Sequence, residues 1–216
     1  MLVAAGVLLL AAATVADDVT GVVYLIRHGE KESPTGCLSA EGQARAETLP
    51  DRFDGNICER PDVLFAHNYT SEYCQRCVQF LEPLARDRQL VINDALSSQP
   101  PSSNEEAAAA IRESLSARPG STVLVAWEHH NLPKLAEALI EASGSKAEVP
   151  EEWPADDFTT LYIIVFEPGL AGGGVGFSIA DYNAPQAGLK TGLMAKARSR
   201  AGRTDQRVAA LMEPSP

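Results

Sequence analysis

The stretch that decides the fold is VVYLIRHGEK, which spans residues 22–31. Its beginning, from Val22 to Arg27, is rich in aliphatic and aromatic residues without polar alternation, as is typical of a strand buried on both faces of a parallel sheet. The triplet of Arg27, His28 and Gly29 stands where this strand must end. The stretch therefore predicts a central parallel strand with polar, chemically versatile side chains at its carboxyl end.

Strands and helices alternate along the rest of the chain. Strand patterns recur at residues 63–66, 91–92, 121–127, 159–166 and 175–180, and helical patterns occupy residues 39–53, 71–88, 104–117 and 131–142. Parallel strands need crossover connections, and these connections cover both faces of the sheet with helices. We expect a three-layer α/β/α sandwich with a mostly parallel, doubly wound sheet. The glycines at 172–174 predict a turn between the last two strands.

The two ends of the chain differ from its middle. Residues 1–16 carry no charged side chain and end in small residues, which is typical of a secretory signal, although its start lacks a basic residue. A membrane anchor and a disordered start are the alternatives, and so short an apolar stretch is marginal for a stable membrane span. The polar, cationic end indicates a partly flexible tail. We expect a signal peptide at 1–16, one globular domain at 17–185, a tail at 186–216 and a secreted or secretory-pathway protein.

The overall charge limits the partners. The 216 residues carry a formal net charge of -11, and the isoelectric point is about 4.8. Such a field repels polyanions, so nucleic acid and anionic membrane surfaces are not expected partners. Any anionic ligand must be held by a local cationic pocket.

The chain has four cysteines, an even number that could form two disulfides in any of three connectivities in an oxidising compartment. The last two form a C-x-x-C pattern without a second metal-ligand pair, so neither a zinc site nor a redox role is expected. In a secreted protein, residues 68–70 would also be an N-glycosylation acceptor. The cysteines are Cys37, Cys58, Cys74 and Cys77.

Two histidines stand at the ends of predicted strands. His28 follows the first strand and His129 follows the strand at 121–127. Ligands of open α/β sheets bind in the crevice beyond the carboxyl ends of the strands, so the two imidazoles can converge on one ligand. Arg27 offers the planar, bidentate donors that suit a phosphoryl group, and Gly29 allows a close approach of the backbone. A neutral His28 is a competent nucleophile if a hydrogen bond at its other nitrogen fixes the tautomer.

Four segments resemble the histidine phosphatase, or phosphoglycerate mutase-like, superfamily. Together they extend over residues 22–130. The fourth segment, RCVQFLEPL, matches the pattern R-x-x-Q-T-x-x-P-L except at Phe80. The segments are residues 25–31, residues 38–46, the strand that ends at His129, and residues 76–84.

The resemblance implies a phosphatase that acts on a small phosphorylated substrate through a phosphohistidine on His28. Arg27, Arg76 and His129 would neutralise the phosphoryl oxygens, and water would then hydrolyse the intermediate. No metal ion and no cofactor is implied, because positioned cations stabilise the transferring group. From the helical spacing alone, Arg76 could instead be a helix-surface residue paired with Glu72, which is four residues earlier.

The chain departs from the family at the proton donor. The mutases carry glutamate in an L-x-E pattern after the third strand, where residues 96–98 read LSS here, and the acid phosphatase branch has aspartate where this chain has His130. The identity of the general acid therefore remains open, with four candidate residues. We rank Glu105 and Glu106 first, at the start of a helix, before Glu128 and His130.

The missing glutamate and the signal-like start argue against a glycolytic mutase and favour a phosphatase. The WEH string at 127–129 and residues 153–158 resemble a small set of members of the mutase-like branch of the superfamily. The alternative is a catalytically inactive member of the same fold that binds phosphate or another anion.

Three further polar residues are less informative. His67 belongs to no motif and is interpreted as structural. Lys31 could line the mouth of a pocket or be solvated. Arg45 is interpreted as the solvated partner of Glu41, which is four residues earlier on the same helix.

Overall fold

The computed structural model describes residues 19–69, 74–100, 102–167 and 174–182. The signal-like segment at 1–16, the tail at 186–216 and most of the predicted glycine turn lie outside these residues. None of the helices within the described ranges is long and apolar enough to cross a membrane. The elements are β1 (Gly21–Arg27), α1 (Ala40–Ala46), α2 (Leu49–Arg52), β2 (Val63–Ala66), α3 (Arg76–Arg88), β3 (Ile92–Asn93), α4 (Asn104–Ala117), β4 (Ser121–Trp127), α5 (Leu132–Glu141), β5 (Thr160–Phe166) and β6 (Val175–Asp181).

The strands form one sheet in the order β3-β2-β4-β1-β5-β6. The first four of these strands pair in parallel, whereas β5 and β6 are antiparallel additions at the other edge. The prediction of a mostly parallel α/β sheet is therefore confirmed. In the register of β1 with β4, Arg27 pairs with Trp127. Because the two strands end at the same level, His28 and Glu128 leave the sheet side by side.

Both faces of the sheet are buried, which explains the unbroken apolar runs in the central strands. Val23 and Leu25 of β1 face the layer that contains α4 and α5. Tyr24 and Ile26 face the layer of α1, α2 and α3. A large apolar side chain contributes roughly 1.5 to 3 kcal/mol when it is fully buried, so these two layers fix the position of β1 firmly.

The helix predicted at 39–53 is divided in two. Ser39 caps α1 as expected, and its hydroxyl accepts a hydrogen bond from the Gly42 N–H at 3.2 Å. α1 ends at Ala46, and α2 begins at Leu49 with Pro50 in its first turn. Proline has no N–H and disrupts a helix interior, but it is tolerated in the first turn. α3 also begins later than predicted, at Arg76.

The cysteines form one disulfide rather than two. Cys37 is bonded to Cys74, whereas Cys58 and Cys77 are free and buried. Burial raises the pKa of both free thiols to about 12. A thiol with so high a pKa is unreactive, so these two side chains act as small core residues.

Candidate active site

His28 lies directly after β1 and is only 1% exposed. Its Nδ1 is 2.7 Å from the Gly29 carbonyl oxygen, and the Arg76 Nε–H donates to its Nε2 at 3.1 Å. A guanidinium can only donate, so Nε2 must be the acceptor and Nδ1 must carry the proton. The hydrogen bond that the nucleophile hypothesis requires is therefore present, and the Nε2 lone pair faces Arg76.

The surroundings of His28 keep its imidazole neutral. Burial lowers the pKa of His28 to about 3, and the charges of Arg76 and Arg27 act in the same direction, although the hydrogen bond to Gly29 opposes them. A neutral imidazole has a lone pair available for attack. His28 is thus neutral from mildly acidic pH upward.

Arg27 is held by the loop that precedes β5. Its Nη1 donates to the carbonyl oxygens of Ala155 at 2.6 Å and Asp157 at 3.2 Å, and its guanidinium carbon lies 3.9 Å from the centre of the Phe158 ring. Trp153 closes this loop through its indole N–H, which donates to the Asp157 carbonyl oxygen at 3.0 Å. The Arg27 Nε is buried without a protein partner, so this donor is left for an anion.

Arg76 is the first residue of α3 and faces His28. Its guanidinium carbon lies 3.6 Å from the centre of the Tyr69 ring, a distance that permits a cation–π interaction. Glu72, the alternative partner considered above, lies outside the described residues. The contact with His28 places Arg76 in the site.

His129 completes the group, with its ring centre 6.4 Å from that of His28. Glu128 Oε1 is 2.8 Å from His129 Nδ1, a close polar contact that lacks hydrogen-bond angles. Asn131 Nδ2 donates to the other carboxylate oxygen at 2.9 Å. Burial lowers the pKa of His129 to about 4, helped by Arg27 and opposed by Glu128. The structure thus brings Arg27, His28, Arg76 and His129 together.

A cavity of about 480 Å³ opens at this end of the sheet and is lined by Arg76 and His129. Lys31, Tyr69 and Glu128 also line it. A larger groove of about 730 Å³ lies between α4 and α5 and contains none of the four clustered residues. The groove also has cations, Arg112 and Lys134. We take the smaller cavity as the candidate site, because it is lined by Arg76 and His129 of the cluster.

Comparison with known proteins gives structural neighbours. No protein-family model matches the sequence, and no curated protein is found as a relative. The protein histidine phosphatase SixA, solved with tungstate, is 16% identical with a TM-score of 0.50, over 74% of this chain and 97% of that chain. A mutant phosphoserine phosphatase from Entamoeba histolytica, solved with phosphoserine, is 11% identical with a TM-score of 0.51, over 76% of this chain and 98% of that chain. The chain has the fold of the histidine phosphatases.

The two glutamates that we ranked first as proton donors do not lie at the cavity of this chain. The Asn104 side chain points inward and accepts from the Trp127 indole N–H at 3.1 Å, which turns the next residues of α4 outward. Glu105 lines the groove between α4 and α5, and Glu106 is exposed. Glu128 and His130 do line the cavity, so the structure reverses our ranking.

One group of described residues has the spacing of metal ligands. Donor atoms of Glu128, His129 and His130 lie within 4.8 Å of one another, and two imidazoles with one carboxylate are a donor set that zinc accepts. The charges of Arg27 and Lys31 act on His129 and oppose a further cation. We therefore assign no metal here.

Some residues of the cavity carried no sequence signal. Tyr69 belongs only to the glycosylation triplet and to no catalytic motif, yet its ring contacts Arg76. His67 lines the cavity wall, and its Nε2 accepts from the Ser98 N–H at 3.1 Å. Ser98 stands where the mutases have glutamate. The loop that holds Arg27 has a sequence signal only in the family resemblance of residues 153–158.

Two smaller interpretations also change. Arg45 forms a bidentate ion pair with Glu30, with Nε–oxygen distances of 3.1 and 3.0 Å, rather than pairing with Glu41. Residue 29 must be glycine, because a Cβ atom there would lie 2.9 Å from both the Cα atom and the carbonyl oxygen of Gly42. The close approach that we expected at this glycine is thus made by α1.

Proposed function

We propose that the protein is a phosphatase that hydrolyses a small phosphomonoester through a phosphohistidine on His28. The observation that carries the proposal is the pair of contacts at the imidazole, because the Gly29 carbonyl oxygen accepts from Nδ1–H and the Nε2 lone pair points at Arg76. A neutral nucleophile is thus directed at the place where cations would hold a phosphate. The phosphatase fold supports this function, and so does the binding of phosphoserine and tungstate by structural neighbours.

The reaction has two steps. His28 Nε2 attacks phosphorus, the bond to the ester oxygen breaks, and an acid gives that oxygen a proton so that it leaves as an alcohol. Water then attacks the phosphohistidine and releases phosphate and free imidazole, while the same group takes a proton from the water. Arg27, Arg76 and His129 stabilise the charge on the phosphoryl oxygens in both steps.

We propose His130 as the group that gives and takes this proton. Burial raises the pKa of Glu128, but hydrogen bonds from the His130 N–H and Asn131 outweigh burial and leave the pKa lowered. Glu128 is therefore a carboxylate, which cannot donate. Glu128 lies beside His129 Nδ1. It can therefore orient His129 and favour the charged imidazolium of His129 when a phosphate dianion binds.

The test is turnover of an aryl phosphate in the presence of a chelator. We expect phosphate release, and we expect His28→Ala to abolish both release and the phosphohistidine trapped by acid-free quenching. Arg86→Ala is the matched control, because Arg86 lies on α3 but is 73% exposed and pairs with Glu47. Saturable phosphate binding without turnover would instead favour the inactive, anion-binding alternative.

We also propose that the protein belongs to the secretory pathway, as its signal-like start indicates. The Cys37–Cys74 disulfide supports this location, since disulfides persist in oxidising compartments. Glycosylation at Asn68 is less compatible with the structure, because the Asn68 amide donates to the Asp94 carbonyl oxygen at 2.7 Å. The N-terminal sequence of protein recovered from culture medium tests the location, and a start after residue 16 is expected.

A further inference from the structure

The disulfide lies close to the part of the candidate site that contains Arg76. It joins Cys37, in the loop after β1, to Cys74, two residues before Arg76. Both cysteines are partly exposed, so a soluble thiol can reach them. The bond therefore ties the segment that carries Arg76 to the loop that follows His28.

The same loop touches α3 at two more points. A Cβ on Gly36 would lie 3.7 Å from Arg76 Nη1, so the loop backbone passes close to the guanidinium. The Leu38 N–H donates to Gln79 Oε1 at 3.2 Å. The loop itself is closed by a bridge between Lys31 and Leu38. Together with the disulfide, these contacts form what we call the Arg76 brace.

The beginning of α3 is not capped by a side chain. Gln75 occupies the cap position but makes no side-chain capping bond. Its amide instead pairs with the Tyr69 backbone, donating to the carbonyl oxygen at 2.6 Å and accepting from the N–H at 2.8 Å. Uncapped helix ends fray readily. The position of Arg76 thus depends on its tethers, among which the disulfide is the covalent one.

We propose that the Cys37–Cys74 disulfide is a redox-sensitive positioning device for Arg76. In the oxidised protein the brace holds the guanidinium against His28. Two equivalents of a thiol reduce the bond to two cysteine thiols and are themselves oxidised to a disulfide. The loop and residues 74–76 then separate, and phosphate binding and transfer both weaken. The proposal rests on the proposed function.

The other two thiols do not disturb this switch. Cys77 is buried and within 3.4 Å of the Tyr69 hydroxyl, and Cys58 is buried in the same layer. Buried thiols of this kind exchange slowly with a disulfide. Reduction therefore acts on one bond, and Cys58→Ala is a matched control that should keep the full redox response.

The experiment compares kcat/KM for an aryl phosphate in the oxidised and phosphine-reduced full-length protein, with reduction verified by counting thiols. We expect reduction to lower kcat/KM about tenfold or more. The double variant Cys37→Ser/Cys74→Ser should show the reduced value at all times and should not respond to reductant. Equal values in the verified oxidised and reduced protein would overturn the proposal.

A double-mutant cycle separates positioning from general loosening. If the disulfide acts through Arg76, reduction of Arg76→Ala should lower kcat/KM no further, since a group that is absent cannot be misplaced. An equal loss in both backgrounds would show a merely structural role and would overturn the proposal. If the cysteine variant does not fold, Gln79→Ala removes another contact of the Arg76 brace. We expect this substitution to lower kcat/KM a few-fold in the wild-type background and to have no effect in the Arg76→Ala background.

The proposed function can fail independently of the brace. If the oxidised protein shows no turnover, the phosphatase proposal fails, and binding of inorganic phosphate measured by calorimetry becomes the readout. Tighter phosphate binding by the oxidised form would still support the brace. Equal binding by both forms would overturn it.

Discussion

At the scale of single residues, the neighbours of His28 keep its imidazole neutral, as the proposed nucleophile requires. Burial is the largest cause that lowers its pKa to about 3, and the Arg76 charge adds to it. We predict that His28 titrates below pH 5 when its ring protons are followed by NMR. Arg76→Ala should raise this pKa because it removes a positive neighbour, and the exposed Arg86→Ala should not. A midpoint near 6.5 in the wild-type protein would contradict the buried geometry.

The acid and the orienting carboxylate can be told apart by the leaving group. An alkyl phosphate needs a protonated leaving oxygen, whereas an aryl phosphate needs little protonation. We predict that His130→Gln lowers kcat/KM for the alkyl ester about 100-fold or more and affects the aryl ester far less.

Glu128→Gln should lower kcat/KM for both esters alike, between about 10- and 100-fold, because it misplaces His129. Glu105→Gln, in the groove between α4 and α5, should match the wild type for both. A selective loss of the alkyl ester in Glu105→Gln would restore the ranking made from the sequence.

At the scale of elements, the close contact of Gly42 in α1 with Glu30 matters more for stability than the low helix propensity of glycine. A Cβ on Gly42 would lie 2.2 Å from the Glu30 carbonyl oxygen, so the helix must rest directly on the chain that follows His28. Glycine to alanine in a helix normally stabilises by about 1 kcal/mol. We predict that Gly42→Ala instead lowers the free energy of unfolding by about 2 kcal/mol or more, measured by urea titration.

The control for this substitution lies on the same helix. Ala44 is exposed, so Ala44→Gly should cost only the propensity difference of about 1 kcal/mol. Stabilisation by Gly42→Ala would show that α1 does not pack as described.

Strong periodicity made some elements predictable to the residue. α4 and β4 have the predicted bounds, Asn104–Ala117 and Ser121–Trp127, because a capped amphipathic helix and an unbroken apolar run are local signals. The break between α1 and α2 was not predicted, although Pro50 marked it.

The site residues were likewise predictable where a local signal existed, since His28 and His129 were predicted from strand ends. Tyr69 and the loop that holds Arg27 were not, because loops have no period from which contacts can be inferred.

At the scale of the whole molecule, two buried imidazoles and one partly buried imidazole make the fold sensitive to acid. Burial lowers the pKa of His28 to about 3 and those of His67 and His129 to about 4. Below the ordinary value of 6.5 the unfolded chain takes up protons that the folded chain refuses, so the free energy of unfolding falls as pH falls. The slope is at most roughly 1.4 kcal/mol per pH unit for each imidazole.

We predict higher stability at pH 7 than at pH 5 in urea titrations. His67→Asn should flatten this dependence, because it removes one of the three groups. Equal stability of the wild-type protein at both pH values would contradict neutral burial of these histidines.

The sequence by itself determined the layers of the fold and the ends of its central strands, because burial on both faces leaves an apolar run that stops where the ligand side begins. It also predicted both arginines and both histidines of the cluster. Only the tertiary structure decided which carboxylates reach the cavity, which cysteines pair and what holds each arginine. These outcomes depend on contacts between residues far apart in the chain, and such contacts leave no local pattern.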